Sequence, residues 1–180
     1  MAAQFRSERV TTARVLGIDP GTLRAGYAVV DVDGHGGVRY VCCGVLAAGD
    51  ADYVARIQVI CEDLTALLVE MSPTAVALEK AYAGRNVASA MKLAEARGAF
   101  RHLCMARGIP VVEYGANHVK RAVTGRARAT KTEVVDRISQ LFSLRIGPAE
   151  DAADALALAT CHGMHLRGAA TPRSLVGGAP

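Results

Sequence analysis

The chain contains no tryptophan and few other aromatic residues. Only 4% of its 180 residues are aromatic, whereas 51% are hydrophobic. A disordered chain would have too few apolar residues to form a core, and this one has many, with alanine prominent among them. We therefore expect one folded domain in which helices pack closely over strands, since 180 residues fit a single domain.

Long apolar runs and paired cysteines are also missing. No segment of about 18 apolar residues is present, as a membrane span would require, and the first thirteen residues lack a signal-peptide core. The five cysteines form no Cys-x-x-Cys pair, which argues against both a disulfide framework and a structural zinc site; they are Cys42, Cys43, Cys61, Cys104 and Cys161. We expect a cytoplasmic, soluble protein with free buried thiols.

Charge is weak overall but unevenly distributed along the chain. A net charge of +4 does not by itself distinguish a nucleic-acid-binding protein from other proteins. One segment, however, combines eight basic residues with a single acid, Glu113; the basic residues are Arg97, Arg101, Arg107, Lys120, Arg121, Arg126, Arg128 and Lys131. The sequence therefore predicts one strongly positive surface.

The order of apolar patterns predicts an α/β fold. Strands are expected at 14–19, 25–32 and about 38–48, joined by short turns as in an antiparallel meander. A helix at 52–70, a strand at 74–78, a helix at 86–107 and a strand at 109–113 follow. Further helices are expected at about 115–123, 131–142 and 149–166. This order predicts a five-stranded mixed sheet flanked by helices.

Two carboxylates follow predicted strands. Asp19 lies where the first strand meets Pro20-Gly21, and Glu79 directly follows the apolar run at 74–78. Ligands of an open α/β sheet bind beyond such strand ends, and a buried carboxylate requires a partner. Two structural alternatives remain open at this stage, because Asp before Pro-Gly is also common in turns and Glu79 could pair with Lys80.

Two more carboxylates lie three residues apart in the last predicted helix. Asp151 and Asp154 therefore share one helix face, surrounded by alanines. Stabilisation of the helix macrodipole is an alternative role for Asp151, but it explains Asp154 poorly because the effect fades beyond the first turn. If the four acids converge, they form an oxygen ligand set suited to two Mg²⁺ ions, with Mn²⁺ as a substitute.

Motifs around these acids resemble the RuvC family of crossover-junction endodeoxyribonucleases over about 150 residues, from Val15 to His162. The matching segments, in order, are GIDPGTLRAGYAVVD, ALEKAY, RNVASAMKLAEARG, VKRAVTG with a later ATK, and DAADALALATCH. The resemblance implies an RNase H-like fold and a homodimer that nicks two strands of like polarity across a Holliday junction. It also implies the RuvA–RuvB branch-migration complex as a partner.

The same resemblance implies roles for individual residues. Four acids match the family's catalytic positions, namely Asp19, Glu79, Asp151 and Asp154. Lys120 and Lys131 match basic positions near the cut strand, and Tyr82 matches an aromatic position that faces an unpaired base. Arg126 and Arg128 are additional candidates for phosphate contact. For Tyr82 and the lysines, the structural alternatives are ordinary packing and a solvated helix face.

The sequence departs from the family in two places that bear on the structure. Ala127 replaces a second glycine in the TGRARATK loop, and alanine tolerates a positive φ poorly. Residues 1–13 form an extension before the first strand; we expect them and the tail at 167–180 to be disordered, with the RNase H-like nuclease domain at 14–166.

Three other functions are compatible with parts of the sequence. A YqgF-type RNase H-like protein acting on RNA shares the GIDPGT opening, but the closing helix with its carboxylate pair argues against it. In a phosphate-binding relative of actin and sugar kinases, the Asp-x-Gly-Thr-x-Arg pattern at Asp19–Arg24 would hold nucleotide phosphates. Such proteins need two such domains and a second phosphate loop, and one domain of 180 residues has no room for the cleft between them. A junction-binding protein with weakened cleavage is the third, and retention of all four acids argues against it.

Overall fold

The structure, a computed structural model, describes residues 11–80, 86–144 and 149–170. Its strands are β1 (Thr11–Asp19), β2 (Arg24–Asp33), β3 (Val38–Ala47), β4 (Ala75–Glu79) and β5 (Val111–Tyr114). Its helices are α1 (Tyr53–Met71), α2 (Val87–Met105), α3 (Ala116–Thr124), α4 (Lys131–Leu141) and α5 (Glu150–Ala170). The predicted order of strands and helices is confirmed.

Several elements begin or end at residues other than those predicted. β1 begins at Thr11 rather than at 14, and α5 runs to Ala170 rather than to 166. α2 ends earlier than predicted because the turn after Met105 leads to Gly108, whose φ of 70° does not continue a helix. Residues 1–10 and 171–180 lie outside the described residues, so the disorder expected there stays a prediction.

The five strands form one mixed sheet in the order β3-β2-β1-β4-β5. β1, β2 and β3 are antiparallel neighbours, as the predicted meander requires, whereas β4 lies parallel to both β1 and β5. In the β1–β4 register Ile18 is opposite Leu78. The next residue on each strand, Asp19 and Glu79, therefore lies at the same end of the sheet.

Each face of the sheet buries its own apolar core. Leu16 and Ile18 contribute to the core under α1 and α2, whereas Val15 contributes to the core under α3, α4 and α5. This alternation follows from the two-residue repeat of a strand, and each fully buried Val, Leu or Ile stabilises the fold by roughly 1.5–3 kcal/mol. The sheet is thus held between two helical layers.

Two glycines let α5 lie directly on the sheet. A Cβ atom on Gly17 of β1 would be 2.1 Å from the carbonyl oxygen of Ala155, and one on Gly26 of β2 would meet the backbone of Asp151. Because real Cβ contacts are never this short, only glycine permits such a close approach of strand and helix. The first turns of α5, with their two acids, are therefore held against β1 and β2.

The cysteine prediction is confirmed in part. All five cysteines are free, but only Cys104 and Cys161 are buried, while Cys42, Cys43 and Cys61 are half-buried. Among the described helices, none has the length and apolar character that a membrane crossing needs.

Candidate active site

The four predicted carboxylates lie together at one end of the sheet. Asp19 and Glu79 end the adjacent strands β1 and β4, and Asp151 and Asp154 lie in the first turns of α5. The other three acids each raise the pKa of Asp19 by their charge, which requires them to be close. Convergence, which the sequence left open, is therefore a feature of the structure.

Burial and mutual repulsion make this group of acids electrostatically unfavourable. The pKa of Asp19 rises to about 8, first because the carboxyl is buried and then because of the charges on Glu79 and Asp154. Burial is also the main cause of the raised pKa values of Glu79 and Asp154. A hydrogen bond from Asp19 partly offsets this rise, because it lowers the pKa of Glu79. Full ionisation of these carboxylates is therefore unfavourable unless a further cation is bound.

Two side-chain cations reach the acids of α5. Lys131, the first residue of α4, pairs with Glu150, and its Nζ atom lies 3.6 Å from Oδ2 of Asp154. Arg24, the first residue of β2, places its Nε atom 2.5 Å from Oδ2 of Asp151. Lys131 was predicted as a site residue, but Arg24 was not.

The acids border two depressions. One, of about 290 Å³, is lined by the acids Asp19, Glu79 and Asp154, the lysines Lys120 and Lys131, and the residues Ala116, Val119, Val134, Ala157 and Leu158. The other, of about 670 Å³, lies on the α2 side and is lined by Pro20, Glu79, Lys80, Leu93, Arg97, Gly115, Ala116 and Asn117. Glu79 belongs to both, so it forms part of the rim between them.

Arg97 supports this rim from α2. Its Nε atom donates a hydrogen bond to the backbone oxygen of Glu79 at 3.0 Å, and its Nη2 atom donates to Oε1 of Glu113 at 3.0 Å. Only 14% of the Arg97 side chain is exposed. The sequence predicted Arg97 as part of a positive surface, but the structure uses it to anchor the end of β4. Arg101 also pairs with Glu113, so the positive surface is smaller than predicted.

The donor set fits hard divalent cations. Its four carboxylates supply only oxygen atoms, which Mg²⁺ and Mn²⁺ prefer, and a divalent ion would relieve the repulsion that, after burial, raises the pKa of Asp19. In the described part of the chain no three acid, thiol or imidazole groups are arranged to hold an ion as they stand. Asp151 and Asp154 instead point toward Arg24 and Lys131.

The predicted DNA-contacting residues have different surroundings. Lys120 lines the smaller depression, and Arg128 is exposed. Arg126 forms an ion pair with Glu133, which also closes a capping box with Thr130 at the start of α4. Tyr82 lies outside the described residues.

Ala127 does not strain the loop between α3 and α4. The positive φ in this segment belongs to Gly125, at 80°, where α3 ends. The described non-glycine residues with a positive φ are Ser72 and Ser143, so Ala127 keeps an ordinary backbone conformation. The concern that alanine would disturb the loop was therefore wrong.

Comparison with known proteins gives the family. The sequence model described as "Crossover junction endodeoxyribonuclease RuvC" matches residues 15–162. A protein of that name from Halorhodospira halophila is 45% identical over 156 residues, covering 84% of this chain and 90% of the relative. This chain belongs to the RuvC family. The Burkholderia orbicola relative is 41% identical over 149 residues, covering 83% of this chain and 82% of its own.

Solved structures agree with the fold. The chain is similar to Thermus thermophilus RuvC in complex with a Holliday junction substrate, with a TM-score of 0.79 and 31% identity over 88% of this chain and 97% of that one. The yeast mitochondrial Holliday junction resolvase Ydc2 shares the fold, with a TM-score of 0.60 at 14% identity. The RuvC resemblance and the RNase H-like fold expected from the sequence are confirmed.

Proposed function

We propose that this protein is a DNA endonuclease that resolves four-way junctions in recombination and repair by nicking two strands of like polarity. The observation that carries the proposal is the meeting of Asp19, Glu79 and Asp154 in one depression with Lys120 and Lys131, in a chain of the RuvC family. The solved relative that holds a Holliday junction supports the substrate class.

The chemistry we propose is hydrolysis of a phosphodiester bond with two Mg²⁺ ions, for which Mn²⁺ can substitute. Asp19, Glu79, Asp151 and Asp154 would hold the ions. When bound, two such ions roughly 4 Å apart supply an activated water and stabilise the leaving oxygen. Oxygen-only donors and the unrelieved negative charge around Asp19 support this assignment.

The chain's own residues then position the DNA and the acids. Lys120, half-buried beside the carboxylates, would neutralise a phosphate of the cut strand, and so would Lys131. Arg126 and Arg128, in the loop before α4, would contact phosphates farther along the strand. Arg97 donates a hydrogen bond to the backbone oxygen of Glu79, so the end of β4 would keep its position while the DNA strand is cut.

We further propose that two copies pair through α2. Three exposed apolar side chains lie along one side of this helix, with exposed fractions of 70% for Val87, 61% for Met91 and 57% for Met105. Their spacing of 4 and 14 residues keeps them on one face, opposite the face that buries Ala96 and Phe100. An isologous dimer would present two equivalent sites to the two related strands of a junction.

The RuvA–RuvB complex is a proposed partner by family resemblance alone.

The test is incubation of purified protein with a synthetic four-way junction and with linear duplex of the same sequence, in Mg²⁺ and in EDTA. We expect paired symmetric nicks in the junction, with 5′-phosphate ends, in Mg²⁺ only. Equal cutting of linear duplex would contradict junction selectivity. Binding without metal-dependent cutting would instead favour the junction-binding alternative, and preferential cutting of RNA would favour the YqgF-type alternative.

A further inference from the structure

Arg24 is a cation of the candidate site to which the sequence assigned no role in junction cutting. It lies at the start of β2, just after the turn that follows Asp19, and 63% of its side chain is exposed. Two residues later, Gly26 contacts the backbone of α5 at Asp151. The close packing of β2 on α5 therefore brings Arg24 to the outer edge of the carboxylate group.

Arg24 uses a carboxylate oxygen that a metal ion would need. Its Nε atom lies 2.5 Å from Oδ2 of Asp151, and Asp151 is its one ion-pair partner among the described residues. Lys131 differs, because Glu150 would keep it paired if Asp154 turned to an ion. Arg24 is near Glu150 as well, since its charge contributes, after that of Lys131, to the lowered pKa of Glu150.

The Arg24–Asp151 pair is weak enough to exchange. Arg24 is exposed and 27% of the Asp151 side chain is exposed. Ion pairs that water reaches stabilise a protein only weakly, because water screens them and both side chains lose freedom. A divalent ion coordinated by several carboxylates gains far more from the same oxygen. Metal binding at Asp151 would therefore release the guanidinium of Arg24 toward solvent, at the edge of the site where a DNA backbone would lie.

We propose that Arg24 is a DNA-contacting residue whose contact depends on metal. Without an ion the guanidinium is held by Asp151; with an ion it moves to a backbone phosphate of the junction. Each ligand then favours the other, because a coupling between two binding equilibria is reciprocal. This inference rests on the proposed function, since it assumes a carboxylate-bound metal and a DNA substrate.

One prediction concerns the metal alone. Arg24→Gln should tighten binding of Ca²⁺ to the DNA-free protein by about two- to fivefold, measured by titration calorimetry, because a competing cation is removed. Arg107→Gln removes the same charge from the exposed turn that follows α2 and should leave Ca²⁺ affinity unchanged. Equal affinities for wild type and Arg24→Gln would overturn the exchange.

A second prediction concerns the salt dependence of junction binding, measured in Ca²⁺ with a check that the junction stays uncut. In Ca²⁺, Arg24→Gln should reduce the slope of log K against log[salt] by about one, the loss of one phosphate contact. In EDTA the same variant should leave the slope unchanged. A reduction in both buffers, or in neither, would overturn the proposal.

A third arm releases Arg24 without metal. In Asp151→Asn the guanidinium has lost its charged partner, so adding Arg24→Gln should reduce the slope by about one even in EDTA. If adding Arg24→Gln left the slope unchanged, the result would contradict the proposal that Asp151 holds Arg24 away from DNA. Failure of the wild type to select junctions or to cut them would instead contradict the proposed function, so the two failures are distinguishable.

Discussion

A Cβ atom built on Gly26 would lie 1.9 Å from the carbonyl oxygen of Asp151. The backbones of β2 and of the first turn of α5 therefore lie very close together. This close approach brings the two acids of α5 to Asp19 at the end of β1. Gly17 of β1 allows an equally close approach to Ala155, one turn farther along α5. The geometry of the candidate site therefore depends on two residues that carry no functional group.

Gly26→Ala should move α5 away from the sheet. Overpacking against backbone typically costs about 1–3 kcal/mol, and here it would also separate Asp151 and Asp154 from Asp19. We expect a lower melting temperature and a larger loss of junction cutting than of junction binding. A melting temperature equal to that of wild type would contradict this account.

Asp154→Asn should abolish cutting while leaving junction binding nearly intact. It removes a metal-binding carboxylate but no phosphate contact, and even outer-shell changes at metal sites typically cost 10–100-fold. We expect at least about a hundredfold loss of nicking rate in Mg²⁺, with Kd for the junction within about twofold of wild type. Asp136→Asn, an equal change on the exposed side of α4, should retain full activity. A comparable loss of binding would argue against a purely catalytic role.

Stability should depend on pH and on metal together. The folded-state pKa of Asp19, about 8, lies above its ordinary value of 3.8, so the folded protein holds a proton that the unfolded chain releases. Metal-free stability should therefore fall as pH rises from about 4 to about 8, and stabilisation by Mg²⁺ should grow over the same window. Melting curves in EDTA and in Mg²⁺ measure both. Asp19→Asn should flatten the metal-free curve, and an Mg²⁺ effect equal at pH 6 and pH 9 would contradict the prediction.

Met91→Glu should weaken the proposed dimer by placing a charge on the apolar side of α2. Burial of a carboxylate without a partner is strongly unfavourable, so the dimer Kd should rise at least tenfold in sedimentation measurements. Val69→Glu makes a matched change at an exposed position of α1 and should leave the dimer unaffected. If both variants sediment like wild type, the contact between copies lies elsewhere.

Acid should weaken the far end of β1 through Asp31. This carboxylate is 2% exposed and is held by Arg14 and Arg39; the hydrogen bond from Arg14 is the main reason its pKa is lowered. Because the folded-state pKa lies below the unfolded value, its contribution is present above about pH 4 and is lost as pH falls through the folded pKa. Asp31→Asn should therefore lower the melting temperature more at pH 7 than at pH 3. An equal loss at both pH values would contradict this.

Local pattern was sufficient to predict most of the fold and to single out the four acids as candidates, whereas the family resemblance was needed to choose between their catalytic and structural roles. Alternation and three- to four-residue spacing are local properties, and Asp19 and Glu79 could be assigned to strand ends from the residues beside them. Their meeting with Asp151 and Asp154 depends on the order of the strands and on the path of α5. Those are long-range features, and only the family motifs pointed to them in advance.

Arg24 and Arg97 show why the remainder could not be predicted. Both are basic residues in segments that reveal nothing about their partners, and each finds an acid or carbonyl far away in sequence: Asp151 for Arg24, and Glu79 and Glu113 for Arg97. A count of charges along the chain therefore overestimates the free positive surface. The glycine pair offered a signal, since glycine inside a strand suggests close backbone approach, but not the identity of the neighbour.

The register of β1 and β4 has a consequence for how such a site can change. Asp19 and Glu79 are spaced by the hydrogen bonds of a parallel sheet, a distance of about 4.8 Å between strands that side-chain substitutions hardly alter. Asp151 and Asp154 are spaced from them by packing, which any change in the interface of α5 can shift. Natural selection or protein engineering would therefore change the spacing of the four acids through the packing of α5, while the distance between Asp19 and Glu79 stays constant.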